Sequence, residues 1–372
     1  MDWELIEDDA TLHRVLAQYA GASAVAVDTE FMRRNTFYPK VALLQLCFED
    51  KAWLVDPLAI SDLAPLRALM AEPGLVKVLH SPSEDLEVFQ RWLGELPRPL
   101  FDTQRAAALT GRDFGLGYRA LVHDICDVDL PKDETRSDWL QRPLTEAQCQ
   151  YAAQDVVYLL DVYRALRDES RAQGKLDWVL ADGADAVNAQ AGGPGSYYPR
   201  IKSAWKLDRH QLGALAALCQ WREQTARNKD KPRSWIIDDQ ACLQIARGNP
   251  GDLAQLRAQV ELPPAALRRY GEALLEVLSQ QKAVPESDLP APLPPPLSAR
   301  QRDQGKKLKR RVRAIAAELN VAPEILLQSR DYEALVREAR GESNGERPPH
   351  WRGWRDEVVI QPLRELLREG GA

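Results

Sequence analysis

The chain has no C-x-x-C pair, no histidines at metal-ligand spacing, and no apolar run near the roughly 18–20 residues a membrane helix needs. Each absence removes a class of protein. Five cysteines (Cys47, Cys126, Cys149, Cys219, Cys242) are odd in number and scattered, which argues against a disulfide framework or a thiolate zinc site. A basic, apolar export signal is also missing; Asp2, Glu4, Asp8 and Asp9 stand at the start instead. These features predict a cytoplasmic protein in a reducing compartment, with no membrane partner.

What is present is enough sequence for two or three cores: 372 residues, 45% hydrophobic and 28% charged, as in ordinary globular proteins. The net charge of −6 conceals an asymmetry. Residues 1–190 hold 19 Lys+Arg against 32 Asp+Glu, a net −13; residues 191–372 hold 30 against 23, a net +7. An acidic half joined to a basic half points to nucleic-acid contact through the second, or to an uneven share of solvated faces.

Hydrophobic patterning predicts three strands at Ala24–Phe31, Val41–Phe48 and Ala52–Asp56, with connections short enough for antiparallel neighbours. A helix near Ser61–Met70, a strand at Val76–His80, a helix at Pro82–Leu93, a strand near Leu100–Thr103 and a further helix follow. The result is an α/β mixed sheet with helices on its faces. Residues 111–143, broken by glycines and prolines, read as irregular. Thr145 and Gln148 then form a capping-box pattern at the start of a helix carrying Ala152, Val156, Leu159, Leu160 and Tyr163. Gly192-Gly193-Pro194-Gly195 marks a boundary. Beyond it the pattern is helical, in two units of about 75 residues divided by the proline-rich stretch 290–296, which suggests a weak internal duplication. The expected domains are 1–195, 205–285 and 298–372.

Three short motifs carry chemistry. In Asp28-Thr29-Glu30 the strand period of two sends Asp28 and Glu30 to one face, where a polyvalent cation would relieve their repulsion. Alone, the pair also fits a solvated strand end. In Tyr151-Ala152-Ala153-Gln154-Asp155, helical positions i and i+4 bring a phenol and a carboxylate together, as any surface pair might do. Asp85 stands in the first turn after a strand, where acids often only complement the helix dipole. Together, four acids and a phenol form an oxygen-rich set suited to Mg²⁺ or Mn²⁺. Two such ions about 3.5–4 Å apart can polarise phosphorus, generate hydroxide and stabilise a departing 3′ oxygen.

These motifs resemble those of the DEDD 3′→5′ exonucleases, in the variant with Tyr in the third motif. Longer stretches resemble the ribonuclease D family: residues 27–31, Tyr38-Pro39, 83–89, 101–104, 137–144 and 151–155. The resemblance covers nearly all of residues 1–205 and implies an RNase H-like fold. It implies that Asp28, Glu30, Asp85 and Asp155 bind two divalent metal ions (Mg²⁺ or Mn²⁺) and that Tyr151 orients the attacking water. A phenol with pKa near 10 is a poor base at neutral pH. The implied activity trims RNA 3′ ends, with precursor tRNA as substrate class and nucleoside 5′-monophosphates as products.

Around this set, Phe31 and Met32 either wedge against the terminal base or pack in the core. His80 either approaches substrate or serves the fold, and Asp102 braces the sheet or a helix start. Lys132, Arg136 and Arg142 are candidates for phosphate contact or a solvated loop face. Residues 207–285 resemble an HRDC domain through Leu212, Leu215, Leu218, Trp221, Leu243 and Ile245, and 298–372 is expected to be a second, more divergent one. Within its basic run, Lys306, Lys307 and Arg310 are candidate RNA contacts or a solvated face. A DNA proofreading-type exonuclease and an inactive nucleic-acid-binding protein stay open as alternatives. The HRDC-like modules favour RNA, and the four acids favour activity. A monomer is expected.

Overall fold

The alternation that predicts strands at residues 24–56 builds the centre of a six-stranded sheet in the computed structural model of the chain, which describes residues 2–49, 51–131, 137–192, 196–342 and 347–369. Its strands are β1 (Asp2–Ile6), β2 (Ala24–Met32), β3 (Lys40–Phe48), β4 (Lys51–Val55), β5 (Val76–Leu79) and β6 (Leu100–Asp102), in the order β1-β4-β3-β2-β5-β6. The β2–β3–β4 meander is antiparallel as expected, and β5 and β6 continue it in parallel on the β2 side. Two elements have no counterpart in the sequence reading. β1 pairs in parallel with β4, Asp2 opposite Lys51, and the helix Asp9–Gln18 follows, capped by Asp8 at the Thr11 amide. A five-residue strand whose partner lies some fifty residues away leaves little local trace.

Buried side chains fill both faces of the sheet. Val25, Val27, Leu44 and Leu46 face one layer with the helix Ser83–Trp92, through Leu86 and Phe89. Ala26, Leu43 and Cys47 face the other, with Ala152, Ala153 and Val156 of the helix Glu146–Val157. That helix opens with the expected Thr145/Gln148 capping box. It ends at Val157, and a separate helix, Leu159–Ala172, carries Leu160 and Tyr163. The stretch expected to be irregular contains a helix, Tyr118–Cys126, that starts straight after Gly117 and ends on Asp127 in the left-handed conformation; the glycines that broke the periodicity all precede it.

The chain divides into two compact units: Met1–Met32 with Lys40–Gly192 and Leu297–Ala372, and Arg33–Pro39 with Gly193–Pro296. The division near Gly192 agrees with the glycine-rich boundary. Residues 298–372, expected as a separate domain, instead share one continuous core with the exonuclease-like part. Leu308, Val312, Ile315 and Leu335 join the cluster of Leu109 and Val179. Arg355 pairs with buried Asp182 through two hydrogen bonds, of 2.5 and 2.7 Å. Trp178 stacks on Trp354 at 4.4 Å, and Lys175 donates to the carbonyls of Leu109 and Leu319. An apolar face too small to close on itself is buried against a neighbour.

In the other unit, Asp230 accepts hydrogen bonds from the amides of Phe37 and Tyr38 at 3.0 Å each. The β2–β3 connection therefore belongs with the helices of 193–296. The suspected duplication has a structural counterpart. Helices of 21, 4 and 10 residues (Arg209–Lys229, Arg233–Ile236, Asp239–Gly248) recur with the same lengths at Ala299–Leu319, Pro323–Leu326 and Ser329–Glu338. Both series open on a capping box, and both long helices end on a left-handed residue, Asp230 or Asn320.

Candidate active site

β2 outruns its parallel neighbour. Pairing with β5 stops at Ala26↔Val78, whereas pairing with β3 continues to Met32↔Lys40. Asp28–Met32 is therefore flanked by a strand on one side only, at the carboxyl ends of the parallel strands where open α/β sheets build sites. Alternation turns Asp28 and Glu30 to the Ala26 face, beneath the helix Glu146–Val157. The alanines of that helix let it approach the sheet, and Asp155 points to the same place. One carboxylate oxygen each from Asp28, Glu30 and Asp155 lie within 4.8 Å of one another.

Asp85 stands slightly apart. Its helix packs mainly on the other face, and its carboxylate accepts the Thr29 hydroxyl at 2.5 Å. Its position in the first turn, just past the end of β5, keeps its charge effective on both Asp28 and Glu30. Only three of the four expected acids thus form the tight cluster, and the fourth is held through Thr29.

Burial raises the pKa of every one of these groups. It holds Asp28 well above the carboxylate range, helped by the charges of Asp85, Asp155 and Glu30. Burial, then Asp155 and Asp85, push Glu30 up to about 8. Asp155 rises to about 7 despite a hydrogen bond from Tyr151, and Asp85 to about 6 despite the one from Thr29. Tyr151 is raised as well, by burial and then by Asp155, Glu30 and Asp28. Clustered buried carboxylates behave this way when no cation compensates them. An all-oxygen donor set of this kind fits a hard divalent cation, and Asp28, Glu30, Asp155 and Asp85 could hold one.

Three further residues line this region outside the candidate set. Gln45 lies directly opposite Asp28 on β3, fully buried, and neither amide atom has a hydrogen-bond partner among the described residues. Tyr118 donates to the Gln154 carbonyl at 3.1 Å, and burial together with the charges of Asp155 and Asp28 raises its phenol. Trp139 sits 6.0 Å from the Tyr151 ring, its buried indole N–H without a partner among the described residues. A buried glutamine in an otherwise apolar strand, Val41–Phe48, was the available signal for the first; Trp139 lies in the stretch 137–144 that carries the family resemblance, and Tyr118 has none.

The remaining candidates divide. Phe31 and Met32 are half-buried, just past a register shift in β2 at Glu30/Phe31, the kind of irregularity that re-aims side chains beside sites. His80 is held by the Thr103 hydroxyl at 2.9 Å, and burial pushes it down to about 4, so the ring is neutral. Asp102 caps the helix Thr103–Leu109 and accepts the Ser81 amide, a bracing role. Arg142 is not available to phosphate. Its five N–H donors go to Asp56, Ala42, Trp139 and Gln141, a full complement for a guanidinium. Lys132 and Arg136 lie outside the described residues. Lys306, Lys307 and Arg310 are exposed on the helix Ala299–Leu319, but Lys307 is rotated about 100° from Lys306 and does not share its stripe.

A 3′–5′ exonuclease family profile matches residues 3–171, and an HRDC domain profile matches residues 211–278. The chain is 41% identical to ribonuclease D of Pseudomonas paraeruginosa over 364 residues, 97% of this chain and 96% of that protein. It is 34% identical to ribonuclease D of Escherichia coli over 378 residues, 99% of each. The crystal structure of Escherichia coli RNase D, described as an exoribonuclease involved in structured RNA processing, superposes with a TM-score of 0.91 over 99% of both chains.

Proposed function

The chain belongs to the ribonuclease D family of 3′→5′ exoribonucleases, and on that premise we propose that its four acids hold two divalent cations, Mg²⁺ or Mn²⁺, that serve hydrolysis of RNA from the 3′ end. The observation that carries this reading is the cluster of Asp28, Glu30 and Asp155, with oxygens within 4.8 Å of one another at the open end of β2. Bound there, the cations supply Lewis-acid stabilisation of the phosphodiester and acidify water.

The chain's own groups do the rest. Asp28 and Asp155, from a strand and a helix on one face, set the spacing of the site. Asp85 closes it from the other side, oriented by Thr29. Tyr151 orients the attacking water; its raised phenol is too weakly acidic to act as a base at neutral pH. Half-buried Phe31 and Met32 lie beside Glu30 and suit contact with the terminal base. Lys306 and Arg310, exposed and basic, suit RNA phosphates.

The substrates we infer are tRNA precursors with 3′ extensions, trimmed to nucleoside 5′-monophosphates by a cytoplasmic monomer. The family, the exonuclease and HRDC modules and the absence of a membrane-length apolar helix among the described residues support this. Digestion of a 3′-extended precursor tRNA with Mg²⁺ or Mn²⁺, sized at nucleotide resolution, tests it. A ladder shortening from the 3′ end is expected. Asp155→Ala digesting as fast as wild type would remove that residue from the site.

A further inference from the structure

The second helical series leaves an unassigned cavity of about 320 Å³, lined by Phe114, Lys309, Arg313, Tyr332, Glu324 and Ser329 among others. Its composition is unusual for a surface recess. Phe114 is 45% exposed, a large ring in the 111–117 turn with little to cover it. Lys309 stands 5.5 Å from the Tyr332 ring centroid. Neither Lys309 nor Arg313 has a carboxylate partner among the described residues, and Glu324 is the one acid on the lining. The cavity is in the size range of small-ligand clefts.

The helix that supplies both cations extends the feature. Gln301, Gly305, Leu308, Val312 and Ile315 are buried on one side of Ala299–Leu319. Arg302, Lys306, Lys309 and Arg313 recur at i, i+4, i+7 and i+11 on one exposed flank. At 1.5 Å per residue this flank is about 16 Å long and leads to the cavity. A cationic track ending at an exposed aromatic ring is how proteins hold single-stranded nucleic acid, phosphates on the charges and a base on the ring.

We propose that this cavity is a second RNA subsite, remote in sequence from the carboxylate cluster, which takes a base against Phe114 and backbone phosphates on Lys309 and Arg313. It rests on the exoribonuclease reading and adds where a longer substrate is gripped. Stacking is tolerant of base identity, so the subsite provides reach along the RNA without sequence preference. A trinucleotide engages only the carboxylate site; an RNA of about 30 nucleotides engages both.

The test uses the full-length protein. Affinity for a fluorescent 30-nucleotide RNA is measured by anisotropy in EDTA across a salt series, and hydrolysis of that RNA and of a trinucleotide is measured with Mg²⁺. Phe114→Ala is expected to bind the long RNA roughly tenfold more weakly, within the range for loss of one stacked base. Phe114→Tyr keeps the affinity. Lys309→Gln with Arg313→Gln lowers the salt slope by about 1.4, two single-strand phosphate contacts. Trinucleotide kcat/KM stays at the wild-type value in all three variants, and so does the melting temperature of Phe114→Ala. Unchanged affinity and slope overturn the subsite, whether the recess then proves to bind a protein or nothing. An equal loss on trinucleotide and long RNA overturns it too. Wild-type protein that hydrolyses neither RNA sinks the exoribonuclease reading itself, a separate outcome.

Discussion

Asp28 and Gln45 face each other across the β2–β3 ladder, a carboxyl driven toward its protonated form opposite a buried amide with no partner for either polar atom among the described residues. An amide left unsatisfied in a core costs about 1–3 kcal/mol. Gln45→Leu is therefore expected to stabilise the metal-free protein by about that much while weakening Mg²⁺ binding. Urea unfolding in EDTA and calorimetric titration with Mg²⁺ measure the two. Destabilisation of the metal-free variant would mean that the amide has a partner after all.

The same cluster makes stability depend on pH in an unusual direction. Glu30, Asp155 and Asp85 are raised to about 8, 7 and 6, and unfolding returns them to the ordinary carboxylate range near 4. The folded state then binds more protons than the unfolded one. Its contribution is complete below pH about 4 and declines as pH rises through about 6 to 8. Metal-free protein should lose stability across that window and recover it with Mg²⁺, with protons released on binding. Melting curves in EDTA at pH 5 and pH 8 decide the sign.

Thr29 points away from Asp28 and Glu30, yet its hydroxyl holds Asp85. Partners of metal-binding groups are worth about 10–100-fold in affinity or activity. Thr29→Val should fall within that range for Mg²⁺ affinity, and Thr29→Ser should restore it. Equal affinities for Val and wild type would show Asp85 to be oriented without help.

Tyr151 and Asp155 separate orientation from charge. Tyr151→Phe should lower kcat by roughly 10–100-fold with little change in KM, because only the placement of water is lost. Asp155→Asn should abolish turnover and yet raise the metal-free melting temperature at pH 8, since its charge adds to the burial that pushes Asp28 and Glu30 upward. A variant both inactive and less stable would mean that Asp155 supports the fold.

Asp182 is buried between Arg355 and Arg105, with oxygen–nitrogen distances of 2.5–2.8 Å. Removing Arg355 leaves Arg105 on Oδ2 but strips Oδ1 of its donor, and a buried oxygen left without a partner costs about 1–3 kcal/mol. Arg355→Ala should destabilise the unit that contains residues 297–372 by that amount. Little change in the urea midpoint would mean that apolar packing alone holds the segment in place.

The sequence by itself determined the meander, the capped helix, the boundary at the glycines and the acids worth watching, because each rests on a local period or a short motif. Period two sends Asp28 and Glu30 to one face, and i, i+4 brings Tyr151 to Asp155, wherever the elements lie. Only the tertiary structure decided that β1 joins β4, that Asp85 is held through Thr29, that Arg142 is consumed by Asp56, and that residues 297–372 share the exonuclease core. These are pairings between residues tens to hundreds of positions apart. Their free energy comes from burial and charge compensation that no window of sequence contains.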